Sequence, residues 1–250
     1  MAMSLVLDTG PLDKFILKEL EKFPIKHGIF PKQHDVHGKV FPAKNLDIVA
    51  NLKAQSYCDL HQRHSTTVRQ AKMTTPCQQP GDGLFTKELW LSLHIRHSDC
   101  QAAIFYDQEH HVIANVHCGW RGLIGNIYAV TAHKLRKFYN SQPSDLIVAI
   151  GPSLGPNYST YPDYNTLFPR NFQTFMEPNG HINFRGIAYK QLRSLGIPNN
   201  NITILDTCTY TKHELFFSAR YIAQHPEEFS QTHTKKQKNN TTAVMLLPRE

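Results

Sequence analysis

The stretch that most constrains the fold runs from His97 to Gly122, HSDCQAAIFYDQEHHVIANVHCGWRG. Within it QAAIFY (101–106) and HVIANVH (111–117) are apolar, β-prone runs, and the polar segment Asp107-Gln108-Glu109-His110 between them has the chemistry of a turn. The spacing predicts a β-hairpin, followed at once by a Gly-Trp-Arg-Gly turn and a helix. A loop centred between Gln108 and Glu109 puts Cys100 directly opposite His117, with Cβ atoms about 4.5–5.5 Å apart. An odd-length loop would shift that register by one residue. The hairpin gathers a thiol, an imidazole, the Asp99 carboxylate and the Arg121 guanidinium at one end, the pattern expected of an active site.

Strands and helices alternate around this hairpin. GIFP and KVFP are short candidate strands, each closed by a proline, and 47–57 (DIVANLKAQSY) reads as a short helix with Asp47 near its start. LWLSLHIRH alternates apolar and polar residues as a half-buried strand does. After the hairpin, Leu123, Ile127, Val130, Leu135 and Phe138 recur at helical spacing, with Lys134, Arg136 and Lys137 in the last turns, where the helix dipole favours cations. LIVAIGP and ITILDTCTY read as buried strands, parts of 164–176 and 185–195 as helices, ELFFSARYIAQ as strand or helix, and TTAVMLL as a final strand. The expected fold is a single-domain, layered α/β sandwich, with mixed sheets because one connection is a hairpin.

A chain of 250 residues can bury one substantial core. Its net charge of +7 and pI of about 9.1 suit anionic ligands such as phosphate. Five scattered cysteines, an odd number without paired spacing, argue against a disulfide framework and for a reducing compartment. MAMSLVLDTG lacks a basic n-region and a long apolar run, so a soluble, cytoplasmic protein without membrane contact is expected.

Cys100 and His117 supply two ligands for a metal, and a catalytic zinc needs a third protein ligand with one position left open. His64, at the edge of the β-prone end of LHQRHSTTV, is the choice for that third ligand. The bland alternative, a buried thiol and surface imidazoles, remains open on spacing alone. Arg121 stands where free N–H groups at a helix start favour anions, and its guanidinium can hold phosphate bidentately. Trp120 as a core anchor with Arg121 in a surface ion pair is the alternative. Asp99 reads as an acid/base group or as an orienting partner of a ligand. His34/His37, His61/His64 and His94/His97 form three HxxH pairs, but on strands residues three apart face opposite ways.

Taken together, Gln62-Arg63-His64-Ser65, Asp99-Cys100 and His117-Cys118-Gly119-Trp120-Arg121-Gly122 resemble the motifs of the YfiH family of laccase-like proteins. That family was once labelled polyphenol oxidoreductases and is now regarded as purine nucleoside-processing enzymes. The resemblance continues through Gly81-Asp82-Gly83, Gly151-Pro152-Ser153-Leu154-Gly155-Pro156, Cys208-Thr209-Tyr210 and Phe216-Phe217-Ser218-Ala219-Arg220, covering roughly residues 25–247 in order and leaving 1–24 poorly matched. It implies one catalytic domain over 1–250, zinc bound by His64, Cys100 and His117, and phosphorolysis of adenosine, inosine, guanosine or methylthioadenosine, with adenosine deamination as a further activity. Ser65, Cys118, Asn157 and Thr211 depart from the family pattern without removing a ligand. Leu52 stands where an arginine is usual, which weakens inheritance of substrate contacts there.

Other functions are weaker. A multicopper centre needs additional ligands, and the chain has no His-x-His or His-Cys-His. The ordinary zinc deaminase signature, H-x-E with P-C-x-x-C, is absent. A basic nucleic-acid module resting on Lys235-Lys236-x-Lys238 is disfavoured against a solubilising loop. Editing of peptidoglycan precursors, suggested by the resemblance to the bacterial part of the family, has no separate sequence signal.

Overall fold

The computed structural model describes residues 5–177, 179–229 and 238–249; Lys235 and Lys236 of the basic tract lie outside them. Two six-stranded sheets pack face to face. The first runs Leu5–Asp8, Lys14–Leu17, Ile25–Phe30, Asn240–Leu246, Leu91–His97, Ser56–Cys58. The second runs Ile202–Ile204, Leu146–Ile150, Gln101–Asp107, Val112–Cys118, Gly83–Thr86, Val68–Gln70. Both are mixed, antiparallel through the centre, with a parallel pair at one edge of the first and at both edges of the second.

Leu93 and Ile95 of the first sheet meet Ile104 and Ile113 of the second to form the layer between them. The helix Asn45–Leu52 covers the outer face of the first sheet with Ile48 and Leu52. Helices Ile127–Tyr139 and Phe184–Ser194 cover the outer face of the second, packing Ile127, Leu135, Ile187 and Leu192 on Phe105, Val116 and Val148. The result is the expected layered α/β sandwich with mixed sheets.

Several elements differ from the sequence expectation. The segment read as a helix over 47–57 is helical from Asn45 to Leu52 and gives way to the strand Ser56–Cys58. The Leu91–His97 strand is buried at six of its seven residues, where alternation suggested one wet face. Its polar face is covered too: His94 Nδ1 meets Asn45 Oδ1 at 3.0 Å and its Nε2 meets Ser92 Oγ at 3.0 Å. Ile202–Ile204 is a short, half-buried edge strand, because it pairs only with Leu146–Ile150. The helix after the hairpin is broken into Trp120–Ile124 and Ile127–Tyr139. Asn126 makes the break in the left-handed region (φ 51°), and its side chain accepts the Ala129 N–H at 3.1 Å.

The layer between the sheets turns polar at one end. Along three strands the inward residues change character, from Ile113 to Asn115 and His117, from Ile95 to His97, and from Val244 to Thr242 and Asn240. Asn115 ties the two sheets together there, its Nδ2 donating to Leu93 O at 2.9 Å and to Thr242 O at 2.8 Å. This polar end is the floor of the candidate site.

Candidate active site

The hairpin forms, but its register differs from the expected one. His117 lies opposite Ala102, and the turn is Gln108–His111, closed by the Asp107–Val112 pair. Asp107 fixes this turn, shifted by one residue along the chain, its Oδ1 accepting the N–H groups of Glu109 and His110, both at 2.9 Å. The offset is two residues, which preserves the face each side chain occupies. Cys100 and His117 are therefore diagonal neighbours and still converge.

His64 joins them. One ligand atom from each of His64, Cys100 and His117 lies within 4.8 Å of the other two. Cys100 Sγ is 3.9 Å from His64 Nε2, and the two imidazoles meet edge to face with centroids 4.8 Å apart. A tetrahedral zinc would bring such donors to about 3.3–3.6 Å, given metal–ligand lengths of about 2.0–2.3 Å, so a small inward adjustment completes the set. His64 and Cys100 close over Gly119. A Cβ there would stand 2.8 Å from His64 Cδ2 and 3.0 Å from Cys100 Sγ.

One buried carboxylate positions both histidines. Asp82 Oδ1 accepts the His64 N–H at 2.9 Å and faces His117 Nδ1 at 2.9 Å. Its Oδ2 accepts from Ser65 N–H and Ser65 Oγ, both at 2.7 Å, and from Arg63 N–H at 3.2 Å. These contacts hold His64 in a left-handed conformation (φ 57°) that few residues adopt unaided. They also occupy Nδ1 of His117, leaving its Nε2 for a ligand role. Burial pushes the Asp82 carboxyl up, but its hydrogen bonds from His117 and Ser65 outweigh that and hold it down to about 2.

The electrostatics favour a thiolate. Burial alone raises the Cys100 thiol; His117 and His64 reverse this and bring it down to about 6. Burial likewise lowers His117, while Cys100 and Asp82 raise it to about 9. Cys118, on the opposite face of the same strand, is pushed well up by burial. Only one of the two cysteines flanking the hairpin end is chemically activated.

The two proposed catalytic residues lie apart from the donor trio. Asp99 has a left-handed backbone (φ 79°), and its carboxylate accepts from Thr209 Oγ1 at 2.6 Å and from Arg220 N–H at 2.6 Å. Burial raises its pKa, against the lowering effect of those hydrogen bonds. Arg121 is exposed and stacks on Trp120, its Cζ 4.1 Å from the ring centroid. The helix it begins is a single turn of five residues, so little dipole stands behind it.

Cys100 separates two cavities. An open cleft of about 510 Å³ contains His64, His117, Arg96, His97, Ser98 and Gln62. A narrow slot on the other side is lined by Trp120, Tyr161, Phe184, Leu154 and Asp99. Gln62 braces the first, its side chain exchanging two hydrogen bonds with the backbone of Arg96, at 2.7 and 2.9 Å. Sequence reasoning left Asp82 without a role, and it missed His97 and Ser98. For His97 the signal was present, as a polar residue continuing the inward alternation of Leu91, Leu93 and Ile95.

Fold and site define a layered α/β protein whose cleft gathers one activated cysteine and two histidines in metal-ligating geometry. The chain belongs to the family described as multi-copper polyphenol oxidoreductase laccase, the YfiH family, matching it over residues 34–227. A purine nucleoside phosphorylase of Bacteroides thetaiotaomicron is 30% identical over 148 residues, 56% of this chain and 55% of that protein. YlmD of Geobacillus stearothermophilus, also named a purine nucleoside phosphorylase, is 32% identical over 151 residues, again 56% and 55%. The chain thus spans about half the length of the curated relatives it matches. The crystal structure of YfiH from Bacillus licheniformis has the same fold, with a TM-score of 0.75 at 18% identity, covering 96% of this chain and 98% of that one. The structure of YlmD from Geobacillus stearothermophilus superposes equally well, with a TM-score of 0.75 at 18% identity, covering 98% and 100%.

Proposed function

We propose that the protein is a zinc-dependent purine nucleoside-processing enzyme. It would cleave adenosine, inosine, guanosine or methylthioadenosine with phosphate to the free base and the 1-phosphorylated sugar, and deaminate adenosine at the same site. The observation that carries this reading is the convergence of His64, Cys100 and His117 on one open cleft, with Asp82 holding the His117 imidazole and the His64 backbone. The names of the relatives support the substrate class. The cleft volume of about 510 Å³ falls in the range of about 300–1,000 Å³ usual for small-molecule sites.

His64 Nε2, Cys100 Sγ and His117 Nε2 would hold the zinc, with the fourth position facing the cleft. The donor set of two histidines and one cysteine suits a catalytic zinc with one position left open; the same set occurs in electron-transfer copper sites, and metal analysis separates the two. When bound, zinc supplies a Lewis acid that polarises the substrate and acidifies water. In phosphorolysis the sugar–base C–N bond breaks, a C–O bond to phosphate forms, and the departing purine takes a proton. Arg121, whose guanidinium carbon lies 4.1 Å from the Trp120 ring centroid, would pair with phosphate. Asp99, less acidic than an ordinary carboxyl, would take or return protons through Thr209 Oγ1.

The test is to incubate purified protein with adenosine, inosine and methylthioadenosine, with and without phosphate, and to identify the products. Phosphate-dependent release of base supports phosphorolysis, and inosine from adenosine without phosphate supports deamination. Absence of both rejects the reading. Cys100→Ala, His64→Ala and His117→Ala should each strip zinc and abolish turnover with the fold retained; full zinc in all three would remove the ligand assignment. Metal content after purification without added metal decides the ion, and stoichiometric copper without zinc would overturn the choice.

A further inference from the structure

At the cleft end of the Leu91–His97 strand, two neighbouring polar side chains are enclosed without partners. His97 is 1% exposed. Its Nε2 meets Thr242 Oγ1 at 2.9 Å, while its Nδ1 makes no hydrogen bond. The Ser98 hydroxyl is likewise enclosed and unpaired. Consecutive strand residues normally face opposite ways, yet both of these line the cleft that holds His64, Cys100 and His117. The strand stops at His97 and the chain bends from Ser98 onward, which frees Ser98 from the strand's alternation.

An enclosed polar group without a partner costs about 1–3 kcal/mol, and unpaired groups in native proteins are few and call for a specific reason. Here two occur on adjacent residues, beside a metal-type donor set and facing a cavity large enough for a nucleoside. His97 is also firmly placed. Its ring is anchored through Thr242 to the central strand of the first sheet, and Asn240, opposite it, donates from Nδ2 to His97 O at 3.2 Å. Uncharged hydrogen-bonding atoms on adjacent residues, one of them anchored, suit a pair of neighbouring hydroxyls better than an anion.

We propose that His97 Nδ1 and Ser98 Oγ form the sugar-reading subsite of the cleft and hydrogen-bond the 2′- and 3′-hydroxyls of the substrate ribose. This rests on the nucleoside-processing reading above and adds which face of the cleft recognises the sugar. A site built to bond a hydroxyl discriminates against the analogue that lacks it, because its own polar groups are then left unpaired.

The experiment measures binding of inosine, 2′-deoxyinosine, 3′-deoxyinosine and 5′-deoxyinosine to the zinc-loaded protein by calorimetry, in the wild type and in Ser98→Ala and His97→Asn. Removing the 2′- or the 3′-hydroxyl should weaken wild-type binding about tenfold, one hydrogen bond's worth, and removing the 5′-hydroxyl should change it less than about twofold. Ser98→Ala, at the strand end where truncation is well tolerated, should narrow the tenfold gap to about twofold for one of the two hydroxyls. His97→Asn should do the same for the other; if it fails to fold, the Ser98→Ala result alone decides. Inosine binding with undiminished 2′ and 3′ discrimination in Ser98→Ala would overturn the subsite while leaving the nucleoside reading intact. No binding of any nucleoside to the wild type would overturn both.

Discussion

At the scale of single residues, the site depends on two positions that touch no substrate. Asp82 offers two oxygens to five donors, and replacing it by asparagine turns one acceptor into a donor facing N–H groups that already donate. The His117 imidazole and the left-handed His64 backbone lose their anchor at once. Groups that orient metal ligands typically contribute about 10–100-fold in affinity, so Asp82→Asn should weaken zinc binding by that much in a chelator competition; unchanged affinity would show that the histidines hold themselves. Gly119 acts by being small. Its backbone (φ −81°, ψ 180°) suits any residue, so Gly119→Ala should leave the melting temperature nearly unchanged. The added methyl, within 3.0 Å of Cys100 Sγ and His64 Cδ2, should lower zinc occupancy at least about tenfold. The family motifs could name the three proposed ligands, but nothing in the sequence assigned Asp82 its work. The partners of Asp82 lie as much as 35 residues away, and nothing local marks a carboxylate that will be buried.

At the scale of elements, the hairpin was legible and its register was not. Strand identity follows from runs of apolar, β-prone residues, whereas register depends on which residues the turn consumes. Asp107, through its two side-chain hydrogen bonds, draws the turn toward Gln108–His111. The site was identifiable despite the error because an offset of two keeps side chains on the same face. The broken helix shows the same limit. Periodicity from Leu123 to Phe138 continues across Gly125-Asn126, so only the local chemistry of Asn126 reveals that a new helix begins there. Asn126 is both left-handed and an N-cap, and Asn126→Ala should cost about 2 kcal/mol, combining about 1 kcal/mol for the lost cap with about 1 kcal/mol for the left-handed backbone. Asn126→Gly removes the backbone penalty and should cost about half as much. Urea denaturation of the two variants checks the order, and equal losses would show that backbone strain contributes nothing.

At the scale of the whole molecule, three histidines outside the ligand set are sealed into the first sheet. His27 accepts the Leu17 N–H at its Nε2 at 2.9 Å, His94 bridges Asn45 and Ser92, and His97 meets Thr242. Burial lowers all three from 6.5, His27 to about 4 and His94 and His97 to about 3. A folded state that keeps imidazoles neutral binds fewer protons than the unfolded chain once the pH drops below 6.5, so stability is full above that value and is lost as the pH falls toward 3–4. Each buried histidine accounts for a loss on the order of 3 kcal/mol by the acid end. Together these losses are comparable to the whole stability of an ordinary domain, about 5–15 kcal/mol. Asp82 behaves differently. Held down to about 2, it contributes stability that is present above about 3.8 and lost only as the pH falls through about 2, after the histidines have already acted. Urea midpoints between pH 7.5 and 4 should therefore decline steadily from just below pH 6.5. His27→Gln, whose amide oxygen can still accept the Leu17 N–H, should flatten that slope by about one proton's share. A midpoint constant down to pH 4.5 would mean that the imidazoles take up protons without disturbing the sheet.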